Sequence, residues 1–171
     1  MTVRKLLAED AAAFQELRLR ALLDKPTSFT SSHGEEVDLR LEEVASRLAP
    51  TADRAVFGGF DGNRLIGIAG LGREPMRKIA HKAYVWGMYV EPSARGKGWG
   101  RRLLEAATEF ASQVPSVTQV VISVYRGNEA ARSLYVSAGF VPYGIEPRAM
   151  QVDGRVLDEE HMVRFLTPRS A

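Results

Sequence analysis

The order of hydrophobic patterns along the chain predicts an α/β (α+β) domain of seven strands and four helices. Three observations carry this. The apolar period switches repeatedly between two and about 3.6 residues; Gly, Asn and Asp turn signals separate two pairs of strand-like runs; and a strand, a glycine-rich turn and an amphipathic helix follow one another between Lys82 and Gln113. Residues 3–7 read as the first strand. Residues 10–23 read as a helix with Phe14, Leu17, Ala21 and Leu22 inward, and Lys25-Pro26-Thr27-Ser28 breaks it, since proline cannot continue a helix. Residues 29–34 are predicted as loop, and 35–48 as a second helix burying Val37, Leu41, Val44, Ala45 and Leu48. Residues 55–60 and 65–71 form a hairpin through Asp61-Gly62-Asn63. Residues 82–90 (KAYVWGMYV) have the aromatic and β-branched content of a strand, which Glu91-Pro92-Ser93 closes. Gly87 inside it is either a bulge or a tolerated glycine. The helix at 98–113 places Leu103, Leu104, Ala107, Phe110 and Ala111 on one stripe. A strand at 117–125 follows, then a helix between Asn128 as N-cap and Gly139 as C-cap. Residues 140–152 and 156–166 make a last hairpin around Asp153-Gly154.

Composition narrows the classes. The 171 residues suit one domain that buries its own core, and no repeat, low-complexity tract or linker divides residues 1–171. There is no cysteine, hence neither disulfide nor thiolate metal site, and no metal is expected. A formal net charge of +2 is too small to argue for nucleic acid, and the cluster Lys97, Arg101 and Arg102 lacks an interleaved aromatic platform. No run reaches the roughly 18 apolar residues of a membrane span, and Met1-Thr2-Val3-Arg4-Lys5 leads into no apolar signal segment. The expectation is a cytoplasmic protein that engages neither membrane nor nucleic acid.

The most informative segment is Arg95-Gly96-Lys97-Gly98-Trp99-Gly100. Glycine lets backbone approach a ligand closely, the first amides of the helix lack intrahelical partners, and the helix dipole favours an anion there. The spacing is neither the G-x-G-x-x-G of dinucleotide folds nor a P-loop, because no Ser or Thr follows Lys97. A diphosphate seat is the sharper reading and a solvated basic helix start the plainer one.

Residues 90–104, with Arg95, Gly98 and Gly100 in place of Arg/Gln-x-x-Gly-x-Gly/Ala, resemble the acyl-CoA signature of the GCN5-related N-acetyltransferase (GNAT) family. Asn128-Glu129-Ala130-Ala131-Arg132-Ser133-Leu134-Tyr135 with Gly139-Phe140 resembles its second CoA-contacting segment. The element order matches the family fold over essentially the whole chain. The resemblance implies a mixed, mostly antiparallel sheet whose fourth and fifth strands splay apart to admit acetyl-CoA as co-substrate. It implies that amides of Arg95, Gly96, Lys97, Gly98, Trp99, Gly100 and Arg101 hold the pyrophosphate and that Met88, Tyr89 and Val90 pair with the pantetheine arm. Asn128 then touches the cofactor, and Tyr135 sits by its sulfur. Family habit implies a homodimer.

The implied activity is transfer of acetyl directly to a primary amine of a small molecule or amino acid. A protein N-terminus or lysine as acceptor, or a non-catalytic acyl-CoA sensor, are the alternatives. Tyr135 suits protonation of the leaving thiolate, since a phenol stays protonated at neutral pH. Asn128 and Tyr135, seven residues apart, share a helical face, though an ordinary capped helix with Tyr135 in the core has the same pattern. The splayed strands carry no carboxylate, so the general base is sought elsewhere: Glu36 first, then Glu35, Glu146 and His161. Phe29, Trp86 and Tyr125 are expected to line the acceptor site, with His33, Tyr84, Tyr143 and Arg148 as further candidates. All of these aromatic residues are equally candidates for core.

Overall fold

The computed structural model describes residues 2–167. β2 (Arg54–Asp61) and β3 (Arg64–Arg73) are buried at every position except their ends. A strand apolar on both faces must be covered on both, and helices do so here. On one face α4 (Trp99–Gln113) sets Leu103, Leu104, Ala107 and Ala111, none of them exposed, against Phe57, Ala69 and Leu71. On the other, α1 (Ala11–Asp24) brings Phe14, Leu17, Ala21 and Leu22 against Val56, Phe60 and Ile68.

One seven-stranded sheet runs in the order β1-β2-β3-β4-β5-β7-β6. β1 (Thr2–Lys5), β2, β3 and β4 (Lys82–Val90) pair antiparallel in succession. β5 (Gln119–Tyr125) lies parallel to β4, and the hairpin of β6 (Val141–Val152) and β7 (Arg155–Phe165) adds through β7. The mixed, mostly antiparallel sheet matches the expectation.

β4 and β5 pair only from Lys82↔Gln119 to Tyr84↔Val121, and beyond Tyr84 they part. In the same stretch β4 bulges. Its pairing with β3 steps from Gly70↔Trp86 to Ile68↔Tyr89, so Gly87 and Met88 together face Ala69. Gly87 has φ +64°, the left-handed region that glycine enters without strain. The bulge turns the strand away from β5, and the splay opens there.

The predicted helix at 35–48 is two: α2 (His33–Glu36), a single turn, and α3 (Leu41–Leu48). Val37 and Leu41, expected inward, are exposed, while Leu39 in the break packs toward the core. The cause is tertiary. Arg18 and Ser31 hold the Glu36 side chain, and Gln15 donates to its carbonyl. Glu43 accepts from the Arg40 amide and starts a new helix. α5 (Glu129–Ser137) begins at Asn128, whose Oδ1 accepts from the Ala131 amide. No helix among the described residues is long and apolar enough to cross a membrane.

Candidate active site

The opening between β4 and β5 continues into a cavity of about 490 Å³ floored by the glycine turn. Gly96 (φ +77°) and Gly98 (φ +81°) are left-handed, and a Cβ on either would meet nothing within 4 Å, because both face open space. Gly98 precedes α4 and has no side chain to cap it, so the amides of Trp99, Gly100 and Arg101 have no intrahelical acceptor. The helix dipole and those N–H groups give the cavity an anion-accepting end. Gly100 serves packing as well: a Cβ there would lie 3.0 Å from Leu134 of α5. Trp99 is 3% exposed and anchors the turn in a cluster with Ile66 and Ala94.

The basic side chains are engaged elsewhere. Arg95 donates through Nε to the Val90 carbonyl at 2.9 Å and pairs with Asp24 through Nη2. Tyr89 donates to the same Asp24 carboxylate at 3.2 Å. Arg101 turns to Ser137, and its Nη2 donates to the hydroxyl at 2.7 Å. Lys97 donates to the Ser93 carbonyl at 3.1 Å, and its residue does not line the cavity. The side of β4 that faces the gap supplies Met88, Tyr89 and Val90 to the cavity wall.

Asn128 and Tyr135 of the α5 segment both line this cavity. Asn128 both caps the helix and donates through Nδ2 toward Ser28 Oγ at 3.4 Å. Tyr135 is 6% exposed, its ring 6.3 Å from that of Phe140. Burial pushes its phenol well above the usual tyrosine range. The ligand reading and the capped-helix reading describe the same residues.

Two smaller cavities adjoin, of about 80 and 300 Å³, sharing Ser28, Trp86, Gly87, Ser123 and Glu159. Trp86 lines both, and Tyr125 lines the smaller. Phe29, 7% exposed, is core and wall at once, under the Arg18 guanidinium at 4.6 Å. Tyr84, Tyr143 and His161 line the larger one, whereas His33 and Arg148 line none of the three. Arg148 sits in the β6 bulge at φ +58°, its amide donating to Asp158.

Glu36, the first expectation for a base, lines none of these cavities. Burial would raise its pKa, but the hydrogen bonds from Arg18 and Ser31 and the Arg18 charge outweigh this and hold it below the usual carboxylate range. Arg18 Nε donates to Oε2 at 3.0 Å and Nη2 to Oε1 at 2.8 Å. A carboxylate so held makes a poor proton acceptor, and its geometry is that of a residue that positions Arg18. Glu35 is also occupied, accepting from the Ser32 amide and hydroxyl at 2.7 Å each.

The pair Arg18–Glu36 is 8% and 13% exposed in its side chains. Removing one partner of a buried pair strands the other, so Arg18→Met is expected to cost about 3–5 kcal/mol in urea unfolding. Glu36 has a folded pKa below its unfolded value of roughly 4.3, so its contribution is full above that value and fades as pH falls through the folded pKa. The gap in stability between wild type and Glu36→Gln should therefore shrink below about pH 4. A gap that is constant from pH 7 to 3 would contradict this.

The two smaller cavities also hold three polar groups that are not among the expected site residues, Arg18, Ser123 and Glu159. Arg18 lines the larger cavity, and its Nη1 is buried with no partner among the described residues, facing Gly87. Glu159 lines both smaller cavities; burial raises its pKa, with His161 opposing and Glu146 reinforcing the rise. Ser123 Oγ lies 2.9 Å from His161 Nδ1, and His161 Nε2 lies 3.0 Å from Glu146 Oε2. No His, Cys, Asp and Glu cluster among the described residues could hold a metal ion.

The model of the Acetyltransferase (GNAT) family matches residues 17–140, well over half of the chain. This chain belongs to the GNAT family. The N-alpha-acetyltransferase RimI of Mycobacterium tuberculosis is 36% identical over 100 residues, which are 57% of this GNAT chain and 58% of RimI, so the match spans little more than half of that relative. A GNAT-family acetyltransferase from Streptococcus pneumoniae superposes with a TM-score of 0.86 at 24% identity, covering 96% of this chain and 99% of that one. YncA from Salmonella typhimurium, solved with its cofactor acetyl-CoA, gives 0.81 at 24% identity over 100% of this chain and 96% of its own. At such identities the structural likeness shows the GNAT fold.

Proposed function

We propose that this GNAT chain transfers acetyl from acetyl-CoA directly to the primary amine of a small molecule or amino acid. The observation that carries the reading is a row of three adjoining cavities. It runs from the left-handed Gly96 and Gly98, past the unpaired edge of β4, to Tyr135 and on into the acceptor cavities. Acetyl-CoA supplies the activated acyl group and a thiolate leaving group. The fit rests on the chain itself: uncapped α4 amides and space beside Gly96 and Gly98 suit a pyrophosphate, and the free side of β4 suits the two amides of a pantetheine arm, which need partners when buried.

In this reading Arg95, Gly96, Lys97, Gly98, Trp99, Gly100 and Arg101 contribute main-chain amides rather than side chains. Met88, Tyr89 and Val90 align the arm, and Asn128 flanks it. Tyr135 donates its phenolic proton to the departing sulfur. Phe29, Trp86 and Tyr125 wall the acceptor side. Holding both reactants together supplies much of the rate. Arg18 supports an amino-acid acceptor: a buried guanidinium N–H without a partner is costly, and a carboxylate oxygen beside the reactive amine would satisfy it. A protein N-terminus is the second reading, favoured by the RimI relative.

Thiol release from acetyl-CoA should rise when single amino acids are supplied and stay near background with N-terminal peptides. The reverse preference would select the second reading. Tight CoA binding with no acceptor-dependent release across both panels would make the chain a sensor and end the proposal.

A further inference from the structure

Three adjacent strands carry a connected row of proton-handling groups. Ser123 on β5 sits opposite His161 on β7, and His161 sits opposite Gly144 on β6, with Glu146 two residues on. Glycine at 144 offers no side chain, so the diagonal neighbour Glu146 reaches the ring instead. The result is Ser123 Oγ, 2.9 Å, His161 Nδ1, and then His161 Nε2, 3.0 Å, Glu146 Oε2. Tyr143 lies over the imidazole with centroids 6.0 Å apart. Ser123 lines both acceptor cavities, while the Glu146 side chain at the far end is 56% exposed. One end of the row meets the acceptor; the other meets water.

We infer that Ser123, His161 and Glu146 form the proton exit of the reaction, with the serine as relay and the histidine as base. The inference rests on the acetyl-transfer reading above. An ammonium acceptor first loses one proton to water. As the amine nitrogen bonds to the acetyl carbon and the carbon–sulfur bond breaks, Ser123 Oγ takes the proton the nitrogen sheds and passes its own to His161 Nδ1. The thiolate takes the proton of Tyr135. His161, now an imidazolium, is held by Glu146 until water collects its proton, and Tyr135, left as a phenolate, regains a proton from water before the next turnover. Atoms and charges balance: one N–H and one phenolic O–H are lost, one S–H and one imidazolium N–H are gained. Hydrogen bonding to a carboxylate fixes the tautomer that leaves Nδ1 open, the logic by which a carboxylate orients a catalytic histidine. The other titratable and charged groups on the larger cavity that the row borders are Glu159 of β7, Tyr143 of β6, Tyr84 of β4 and Arg18 of α1. None of them bonds to the His161 ring among the described residues. Ser123 acts as relay rather than nucleophile.

Nitrogen-15 NMR of histidine-labelled protein decides the tautomer without any acceptor. The neutral His161 ring should carry its hydrogen on Nε2 in wild type, and Glu146→Gln should weaken that preference. Kinetics with the amino-acid panel follow. His161→Gln, which can keep both contacts but accepts no proton, should lower kcat roughly 100-fold, and added imidazole should restore part of the activity of His161→Gly. A thermal shift with CoA confirms that each variant is folded. A wild-type ring protonated on Nδ1, His161→Gln within about threefold of wild type, or an acetyl adduct on Ser123 in the intact mass would each overturn the relay. An inactive wild type with an Nε2-protonated ring would instead count against acetyl transfer.

Discussion

Tyr135→Phe is expected to lower kcat on the order of 10³-fold while leaving acetyl-CoA affinity within about twofold. The substitution is clean because the ring's role in packing survives it. Tyr135 belongs to the main core cluster beside Phe140, and its hydroxyl makes no hydrogen bond among the described residues that phenylalanine would forfeit. What is lost is one proton donor at the wall of the large cavity. Burial raises the phenol's pKa, so Tyr135 stays protonated through the whole neutral and mildly basic range and contributes no alkaline limb to the rate profile. The same desolvation raises the proton affinity of a thiolate leaving into that site, so the donor is not outrun by its partner. The test is thiol-release kinetics at saturating acetyl-CoA beside calorimetric titration of CoA. An unchanged kcat would remove Tyr135 from the chemistry. A fall in kcat matched by an equal loss of CoA affinity would make it a binding residue.

Much of the fold was legible because its signals are local. The hairpin at Asp61-Gly62-Asn63, the amphipathic α4 and the Asn128 cap each follow from a few consecutive residues. The Gly87 bulge was one of two readings, and the register of β3 on β4 decides for it. The break between α2 and α3 was not legible. Residues 35–48 carry a helical apolar stripe, and only the buried contacts of Glu36 with Arg18 and Ser31, far away in sequence, divert the chain at that point.

The same division holds for the site. The glycine turn and the Asn128–Tyr135 face are written in short segments, and they line one cavity. The acceptor side is not. Ser123, Glu146 and His161 are scattered over three strands, and the register of β5, β7 and β6 alone assembles them. Glu146 and His161 each stood among the expected bases, but their connection through Ser123 has no sequence signature. Arg18 lies on the same inward stripe of α1 as Phe14 and Leu22, and although charged it is only 7% exposed. Glu36, the first expectation for a base, is the ion-pair partner of Arg18.

Gly98→Val is expected to weaken acetyl-CoA binding on the order of 10³-fold in a protein that still folds. A Cβ at Gly98 meets no atom within 4 Å, so no packed neighbour is displaced. The cost has two parts. At φ +81° a β-branched residue is strained by about 1–2 kcal/mol, and relief of that strain rotates the peptides leading into α4. Those peptides carry the amides meant for the pyrophosphate, and each hydrogen bond to a charged group is worth roughly 1.5–3 kcal/mol. Side-chain carbon would also fill the space beside the amides that an anion must enter. Strain falls on the folded protein and lowers Tm by a few degrees, whereas lost amide contacts fall on binding alone. Thermal unfolding without ligand and calorimetry with acetyl-CoA therefore separate the two parts. Gly100→Ala is the informative partner, because its Cβ would press on Leu134 at 3.0 Å rather than face open space. It should loosen the α4–α5 contact and lower Tm with a much smaller change in affinity. If Gly98→Val bound acetyl-CoA as wild type does, the turn would be a helix start and nothing more, and the cofactor would have to lie elsewhere on the sheet.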